Sequence, residues 1–525
     1  MNKRLILTLA LALVVGISLT AYAEVQNVKV SGDLTVEALT RNNIMLRKDN
    51  QAPNLATAAE FNQFDDTITG LLSHVRVRVD ADLTDNVSTT VRLLTERAWG
   101  VEGAADTDLD LDLAFVTLKE FLYSPLTLTV GRQELMYGNG LVIGDPDTNG
   151  ICAGHGATAL SSAGAAGSAT ATGAVLPRSL DDLSSRKSFD AVKAVLNYDP
   201  LVVDLVYAKV NEGNIDQIDD TNLYGINANY MLNDNVTLEG YYWEKVIQKA
   251  GAALDATGAG GGLNPANAAP AVYTSTSHDD VVRTLGTRMQ YTGVKNLVLS
   301  LEGAYQFGTK VNNATLYPDD AVDAANALVV DGGLSSAGGV KKRQAFAIQV
   351  LSQYSLADLI QNYEPVVNFN YTFLSGERYR NIEETHRGWD AMYENQSSGK
   401  LYNKILGNSN CQLFGIGTSL KPAEDIVLSL DFAHLMLVRA YSSEEISTAG
   451  APYGVTLTGV LGDPTYTMEV GKNSLANEID AALTYNYTED VQFGLAAGWF
   501  LPSSAFSEEN DKDATQVIGS MKVTF

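Results

Sequence analysis

The sequence predicts an all-β protein, namely a transmembrane antiparallel β-barrel of about eighteen strands with short periplasmic turns and long extracellular loops. Three observations lead to this prediction. Apolar and polar residues alternate with a period of two along most of the chain, the connections alternate between short and long, and the chain begins with an export signal. These features are typical of outer-membrane barrels, in which one strand face meets lipid and the other meets water.

The first residues have the features of a secretion signal peptide. Lys3 and Arg4 precede an apolar stretch from Leu5 to Leu19, and Ala21-Tyr22-Ala23 is an A-x-A cleavage site. The alternative, an uncleaved transmembrane helix, is disfavoured because the apolar run is short and strand-like sequence follows it directly. We therefore assign residues 1–23 to a signal peptide and residues 24–525 to one barrel domain.

The composition excludes several classes of protein. The chain has 525 residues with 45 Gly, 13 Pro and 24 Tyr, and its mean hydropathy is -0.03. A soluble chain of this length usually divides into several domains, whereas a barrel buries its apolar surface in lipid. The net charge of -26 argues against nucleic acid as a partner. The expected partners are outer-membrane lipid, lipopolysaccharide, and small polar or saccharide solutes.

The clearest alternation lies in the segment His74–Leu83, where aliphatic and charged residues take opposite faces. Shifting its register by one residue would place Arg76 and Arg78 in lipid, at a cost of roughly 2–4 kcal/mol each near the midplane. Asp80 and Asp82 share their face and would add a smaller cost. The valines are therefore expected to face lipid, and the four charged residues the lumen.

Eighteen segments follow this pattern, each about ten residues long, which is the length that a tilted transmembrane strand needs. They are residues 28–41, 74–83, 87–97, 109–119, 126–133, 189–198, 201–210, 222–231, 236–245, 282–291, 297–308, 342–353, 364–374, 412–421, 426–438, 475–487, 491–500 and 515–525. Because this number is even, both termini are expected on the periplasmic side.

Every second connection is short, and the connections between them are mostly long and polar. The short ones lie at 84–85, 199–200, 233–234, 293–295, 422–424 and 488–490, and the long ones at 134–187, 247–280, 309–341, 375–411 and 439–474. Some long loops are expected to fold into the barrel and narrow it. Aromatic residues also occur at several strand ends, as interfacial girdles require. They are Tyr198, Tyr230, Tyr242, Tyr291, Tyr371, Tyr485, Tyr487 and Trp499.

Motifs for catalysis or metal binding are missing from the sequence. It contains no C-x-x-C and no G-x-S-x-G string, and its five His are scattered, so we expect neither an enzyme nor a metal or other cofactor. Cys152 and Cys411 both fall in predicted outer loops. We expect them to form a disulfide, because the exported compartment is oxidising. The alternative is two separate thiols.

The string from Val130 to Gly138, VGRQELMYG, resembles the alginate-export family of outer-membrane barrels, whose most recognisable string is G-R-Q-E-L-x-Y-G. Residues 187–193 are similar to a second string of that family, and the C-terminal part, from Asn477 through Pro502 to the terminal strand, also resembles it. The resemblance implies a barrel of eighteen strands, in agreement with the count from alternation. Ala191 and Lys193 depart from the family pattern, which has Gly and Arg there.

Alternation predicts a lumen that carries both signs of charge. The predicted pore-lining residues are Arg76, Arg78, Asp80, Asp82, Arg92, Arg132, Glu134, Asp190, Lys193, Arg288, Glu302, Asp431, Glu478 and Asp480. The alginate exporter proper has an arginine-rich lumen suited to a polyanion, whereas this lumen is mixed. Export of a polyanion therefore does not follow from the resemblance.

Two groups within this set allow a sharper interpretation. The segment Arg132–Glu134, together with Asp190, either lines a constriction or forms a structural cluster at the base of a long loop. The structural role is favoured, because barrel interiors contain many paired charges. Arg76 and Arg78 are expected to form half of a charge ladder across the pore, opposed by Asp80 and Asp82, which would create a transverse field that selects small polar solutes.

The sequence therefore favours a passive channel for small polar solutes or oligosaccharides in the bacterial outer membrane. One alternative is an exporter of alginate or another exopolysaccharide, which would work with periplasmic export partners. Another is the barrel sleeve of a porin–cytochrome electron conduit. The mixed lumen predicts weak ion selectivity and no tight block by alginate.

Overall fold

The computed structural model describes residues 27–44, 46, 67–100, 109–146, 181–212, 220–248, 279–311, 340–377, 385–396, 400–441 and 468–525. The predicted signal peptide, residues 1–23, lies outside this set. Among the described residues, no helix is long and apolar enough to cross a membrane.

Most of the described residues lie in strands. These are β1 (Asn27–Asn42), β2 (Thr67–Thr84), β3 (Val87–Ala98), β4 (Asp110–Leu118), β5 (Leu126–Glu134), β6 (Ser188–Asn197), β7 (Leu201–Asn211), β8 (Thr221–Asn233), β9 (Val236–Ile247), β10 (Asp280–Tyr291), β11 (Leu297–Val311), β12 (Val340–Ser355), β13 (Val366–Leu374), β14 (Thr385–His386), β15 (Cys411–Ala423), β16 (Ile426–Leu437), β17 (Ser474–Asn486), β18 (Val491–Pro502) and β19 (Ala514–Thr524). A short α-helix, α1 (Leu401–Ile405), precedes β15.

The strands close into one barrel. Each barrel strand pairs antiparallel with its neighbours in sequence, and β1 pairs with β19 as well as with β2. The two-residue strand β14 is not part of the wall, because β13 pairs directly with β15, and β14 lies parallel to the end of β12. Eighteen strands therefore form the wall, and the predicted fold class is confirmed.

The short connections and both ends of the described chain lie at the same end of the barrel. Asn27 pairs with Asp82, beside the turn between β2 and β3. Thr524 pairs with Asp33 of β1, and Val523 pairs with Val491, beside the turn between β17 and β18. The predicted common side of the chain ends is thus confirmed. Most connections follow the predicted sorting by length, but the β12–β13 connection, residues 356–365 at the short-turn end, is longer than the β7–β8 connection, residues 212–220 at the other end.

The outer face of the wall is apolar and carries aromatic side chains near both ends. Leu285, Leu430 and Leu495 point outward and are 58%, 53% and 52% exposed. At the short-turn end the Tyr123 and Tyr198 hydroxyls are 3.3 Å apart. At the long-loop end the rings of Tyr207 and Tyr224 pack with centroids 5.3 Å apart, as do those of Tyr371 and Phe414 at 4.7 Å. This is the pattern of a lipid-facing surface with two aromatic girdles.

The buried core lies inside the barrel, toward the long-loop end, because two long loops enter the lumen there. Loop 3 follows β5 and is described at residues 135–146 and 181–187. Loop 7 connects β13 to β15 and is described at residues 375–377, 385–396 and 400–410. Apolar residues of both loops pack against inward-facing wall residues such as Phe189, Trp243 and Phe500.

Candidate functional site

Loop 3 turns inward directly after β5. Gly131 has φ +124°, and a Cβ there would lie 2.1 Å from the Ala114 carbonyl oxygen, so this position requires glycine. The buried Gln133 side chain donates hydrogen bonds to the carbonyl oxygens of Ala191 (3.0 Å) and Gly131 (3.2 Å). Leu135 is then buried inside the barrel. The family-like string therefore fixes the point at which loop 3 leaves the wall.

The tip of loop 3 is held against the wall formed by β7 to β12. The Tyr137 ring packs on Trp243 with centroids 4.8 Å apart, and its hydroxyl donates to Asp204 at 3.0 Å. The Gly138 and Asn139 amides donate to carboxylate oxygens of β9 and β11, at 3.1 and 3.0 Å. Burial raises the pKa of Tyr137, which keeps its hydroxyl a donor.

Those acceptors are Glu239 and Glu302, and Glu302 was predicted to line the pore. It is 3% exposed and faces inward, but loop 3 covers it. Arg288 also faces inward and binds Glu239 at 2.7 Å beneath the same loop. Glu302 and Arg288 thus face the inside of the barrel, as predicted, but they do not line an open pore, because loop 3 covers them. The alternation of residues along a strand gives the direction of a side chain and not what lies over it.

Loops 3 and 7 pair with each other inside the lumen. The Tyr393 amide donates to the Val142 carbonyl at 3.0 Å, the Gly144 amide donates to the Tyr393 carbonyl at 2.7 Å, and the Asn395 amide donates to the Gly140 carbonyl at 2.8 Å. These backbone bonds join the two loops into one inward-folded body, and the expectation that long loops narrow the barrel is met within the described residues.

Loop 7 is held on one side by a buried carboxylate. Asp390 accepts a bond from Lys245 of β9 at 2.6 Å, and Arg343 of β12 lies at 3.4 Å. Burial alone would raise the pKa of Asp390, but Lys245 and Arg343 outweigh it and hold that pKa well below the usual range. Asp390 is therefore charged at neutral pH and fastens loop 7 to this wall.

On the other side, loop 7 binds β17. Glu478 accepts bonds from the Leu401 and Tyr402 amides, at 2.9 and 2.7 Å, at the start of α1. Glu478 is 0% exposed, so the prediction that it lines the pore is wrong. It faces inward as expected, but α1 covers it.

The second described part of loop 3 is fastened to the region around β1. Asp182 accepts two bonds from the Arg41 guanidinium, at 2.8 and 2.6 Å. Burial alone would raise the pKa of Asp182, but Arg41 outweighs it and keeps that pKa below its usual value. The Ser184 hydroxyl donates to Glu96 of β3 at 2.8 Å. These contacts hold the segment beside an open space.

A cavity of about 630 Å³ remains between the loops and the wall. Small residues of β17 to β19, among them Ala482, Gly494, Ala496 and Ser520, form its smooth side. Charged residues are distributed over the rest of its lining within the described part of the chain. They are the acids Glu37, Glu134, Asp182, Asp431 and Asp480 and the bases Arg76, Lys187 and Lys400. The cavity is therefore polar, with more acidic than basic residues.

The arginines of β2 are neutralised on their own wall. Arg76 binds Asp33 of β1 at 2.9 Å, and Arg78 binds Asp80 of its own strand at 2.7 Å. Arg76 lines the cavity, whereas Arg78, Asp80 and Asp82 lie nearer the short-turn end and are absent from its lining. The expectation that Arg76 and Arg78 oppose the Asp80–Asp82 carboxylates across the pore is thus not met.

Arg92 and Glu134 form a linked group inside the barrel. Arg92 is 8% exposed, binds Asp112 at 2.5 Å, and also binds the Glu134 carboxylate. Glu134 is half-exposed and reaches the cavity. Arg92 therefore stabilises the wall through its ion pairs and does not line the cavity, whereas Glu134 contributes a negative charge to the cavity lining.

Arg132 and Asp190 were predicted to line the pore, and the structure places them on the outer face. They share that face with Val130 and Val192, which are 43% and 39% exposed. Their side chains bind each other through two bonds of 2.8 Å. They lie near the long-loop ends of β5 and β6, where the cost of an outward charge falls to about 0–1 kcal/mol. Lys193 lies three residues after Asp190 on β6, so its side chain points to the opposite face and is directed inward, as predicted.

The cysteine prediction is only partly within the described residues. Cys411 is the first residue of β15, is buried, and has no disulfide partner among the described residues. Cys152 lies outside the described residues, so the bridge stays a prediction.

Sequence reasoning missed four charged residues of the cavity lining. Glu37 follows the alternation of β1 and could have been found from it. Asp182, Lys187 and Lys400 belong to loops. Their positions depend on contacts between residues far apart in the chain, which a periodic pattern does not contain.

No protein-family model matches the sequence, and no curated protein matches it either. Solved outer-membrane structures have a similar fold. OccK3 (OpdO) from Pseudomonas aeruginosa is 9% identical with a TM-score of 0.51, covering 96% of this chain and 97% of that chain. OccAB1 from Acinetobacter baumannii is 10% identical with a TM-score of 0.50, covering 96% and 98%. At this identity the likeness shows the fold alone: the chain is a β-barrel of the outer-membrane type, similar along nearly its whole length.

Proposed function

We propose that this protein is a passive channel for small polar solutes or oligosaccharides in the bacterial outer membrane. The observation that carries the proposal is the polar cavity of about 630 Å³ that remains beside the inward-folded loops. At about 30 Å³ per water molecule, this volume holds roughly twenty waters. That is room for a small hydrated solute.

The outer surface of the barrel supports a location in the outer membrane. The outward apolar residues and the two aromatic girdles fit a hydrocarbon layer bounded by two polar interfaces. Removal of residues 1–23 during export and contacts of the long-loop end with lipopolysaccharide belong to the same proposal.

The alternatives of export and electron conduction receive less support. A polyanion in the cavity would meet Asp431, Asp480 and Glu134, so the charges do not favour alginate as cargo. Kinship with the alginate-export family remains a proposal that rests on the string 130–138. In this protein that string sets the point at which loop 3 leaves the wall. A cytochrome sleeve requires an empty bore, and loops 3 and 7 occupy much of this one.

Channel recordings on the purified full-length protein test the proposal. In planar lipid bilayers we expect stepwise conductance, and in liposomes we expect swelling in solutions of small sugars that declines as the sugar becomes larger. Heat-denatured protein is the control for leakage. A correctly folded barrel that gives neither conductance steps nor swelling would contradict the proposed function.

A further inference from the structure

Two carboxylates of the cavity are placed directly opposite each other on neighbouring strands. Asp431 of β16 and Asp480 of β17 are register partners, and both line the cavity. Like charges in this arrangement repel and weaken a sheet. Their presence therefore calls for a positive charge close to both.

The wall is shaped around these two side chains. A Cβ at Gly417 would lie 2.0 Å from the Oδ1 atom of Asp431, and a Cβ at Gly498 would lie 2.9 Å from the Oδ1 atom of Asp480. Any larger residue at 417 would displace the carboxylate. The glycines on β15 and β18, the strands that flank β16 and β17, thus leave the space that the two carboxylates occupy.

The nearby positive charge comes from loop 7. The Lys400 ammonium lies 2.9 Å from Asp480 and 3.8 Å from Asp431, and these are its ion pairs within the described residues. The pair of carboxylates therefore already holds one ammonium group, supplied by the chain itself. With two acids and one base, the group keeps an excess negative charge.

That excess negative charge is open to the cavity. The Asp431 side chain is 42% exposed, and Lys400 is 34% exposed. Elsewhere in the cavity lining, the Arg76 charge is bound to Asp33, and Lys187 lies 3.5 Å from Asp145. The β16–β17 side is thus an acidic side of the cavity, next to the small-residue wall along which a solute would pass.

We propose that Asp431 and Asp480 select for charge in this channel, favouring cations and amine-bearing solutes over anions, and that Lys400 limits the strength of this preference. The inference rests on the proposed channel function. A passing ammonium group binds where the Lys400 ammonium now lies, and an anion is repelled from the same point. Asp431 and Asp480 are then specificity-determining residues, and Lys400 is a built-in competitor of the solute.

The reversal potential under a KCl gradient measures this preference in a planar bilayer. We expect the wild-type channel to favour K⁺ over Cl⁻. One unit charge a few ångströms from the ion path, in a largely aqueous surrounding, changes the ratio of the two permeabilities by about threefold. D431N and D480N should each lower the ratio by about that factor, and K400M should raise it. The same order is expected for methylammonium against Cl⁻.

The matched control is D190N, which makes the same change of charge on the outer face, where Asp190 binds Arg132. It should leave the ratio unchanged. Heat-modifiable migration in gel electrophoresis reports folding for every variant. A wild-type channel without cation preference, or a ratio that stays unchanged in D431N, D480N and K400M, would overturn the inference while leaving the channel function intact. Absence of any conductance would instead count against the proposed function.

Discussion

Filling the small-residue wall of the cavity should narrow the channel. Ala482 faces inward on β17 and lines the cavity. An apolar space that accommodates a benzene ring measures roughly 150 Å³, which is about a quarter of the 630 Å³ cavity. If the cavity is part of the conducting path, A482W should lower single-channel conductance by at least about a quarter and slow the entry of larger sugars further.

The control for this substitution is L430W. Leu430 lies on the neighbouring strand β16, faces outward and is 53% exposed. A tryptophan there meets lipid, so the conductance should equal that of the wild type. Both variants should migrate as folded barrels. Equal conductance of A482W and the wild type would refute the assignment of this cavity to the solute path, because the added ring has nowhere else to go on the inward face.

Four further outcomes are expected. In R76E/R78E, two positive charges of β2 become negative, so ion selectivity should shift toward cations in a KCl gradient with the barrel still folded; unchanged selectivity would show that these residues do not influence the conducting path. Alginate oligomers should not block the current tightly, because the cavity has more acidic than basic residues, and block at micromolar concentration would favour the exporter. D390N leaves the buried Lys245 without its charged partner, a loss worth about 3–5 kcal/mol, so loop 7 should detach from the wall and the single-channel current should become larger and noisier. The double variant K245M/D390M, which leaves no unpaired charge, should behave more like the wild type. A D390N channel with wild-type current and noise would show that this ion pair does not hold loop 7. A disulfide between Cys152 and Cys411 would lower the mass of the intact protein by two hydrogen atoms relative to the reduced form, and Cα atoms more than about 7 Å apart would exclude it.

The period of two in the sequence is sufficient to determine the wall of this barrel. In the segment from His74 to Leu83, lipid excludes the arginines so strongly that only one register is possible. The alternation of short and long connections likewise determines the side on which the chain ends lie. These are local properties of strand and turn, and each is written in adjacent residues.

The assumption that every charged residue faces inward fails near the ends of the strands, where lipid no longer excludes a charge from the outer face. Arg132 and Asp190 lie near the strand ends, and the cost of an outward charge is small there. Counting from Val130 and Val192, which face lipid, places them outside. A charge indicates an inward position only at the depth where lipid makes an outward charge costly, and near the interface that indication is lost.

The route through the lumen was decided by tertiary structure alone. Glu302 and Glu478 face inward as their strands predict, yet loops 3 and 7 cover them. Lys400 reaches the Asp431–Asp480 pair from a loop that the sequence identifies only as long and polar. A strand pattern specifies the face of each residue because neighbouring side chains alternate, whereas the position of a loop inside a barrel depends on contacts between residues far apart in the chain.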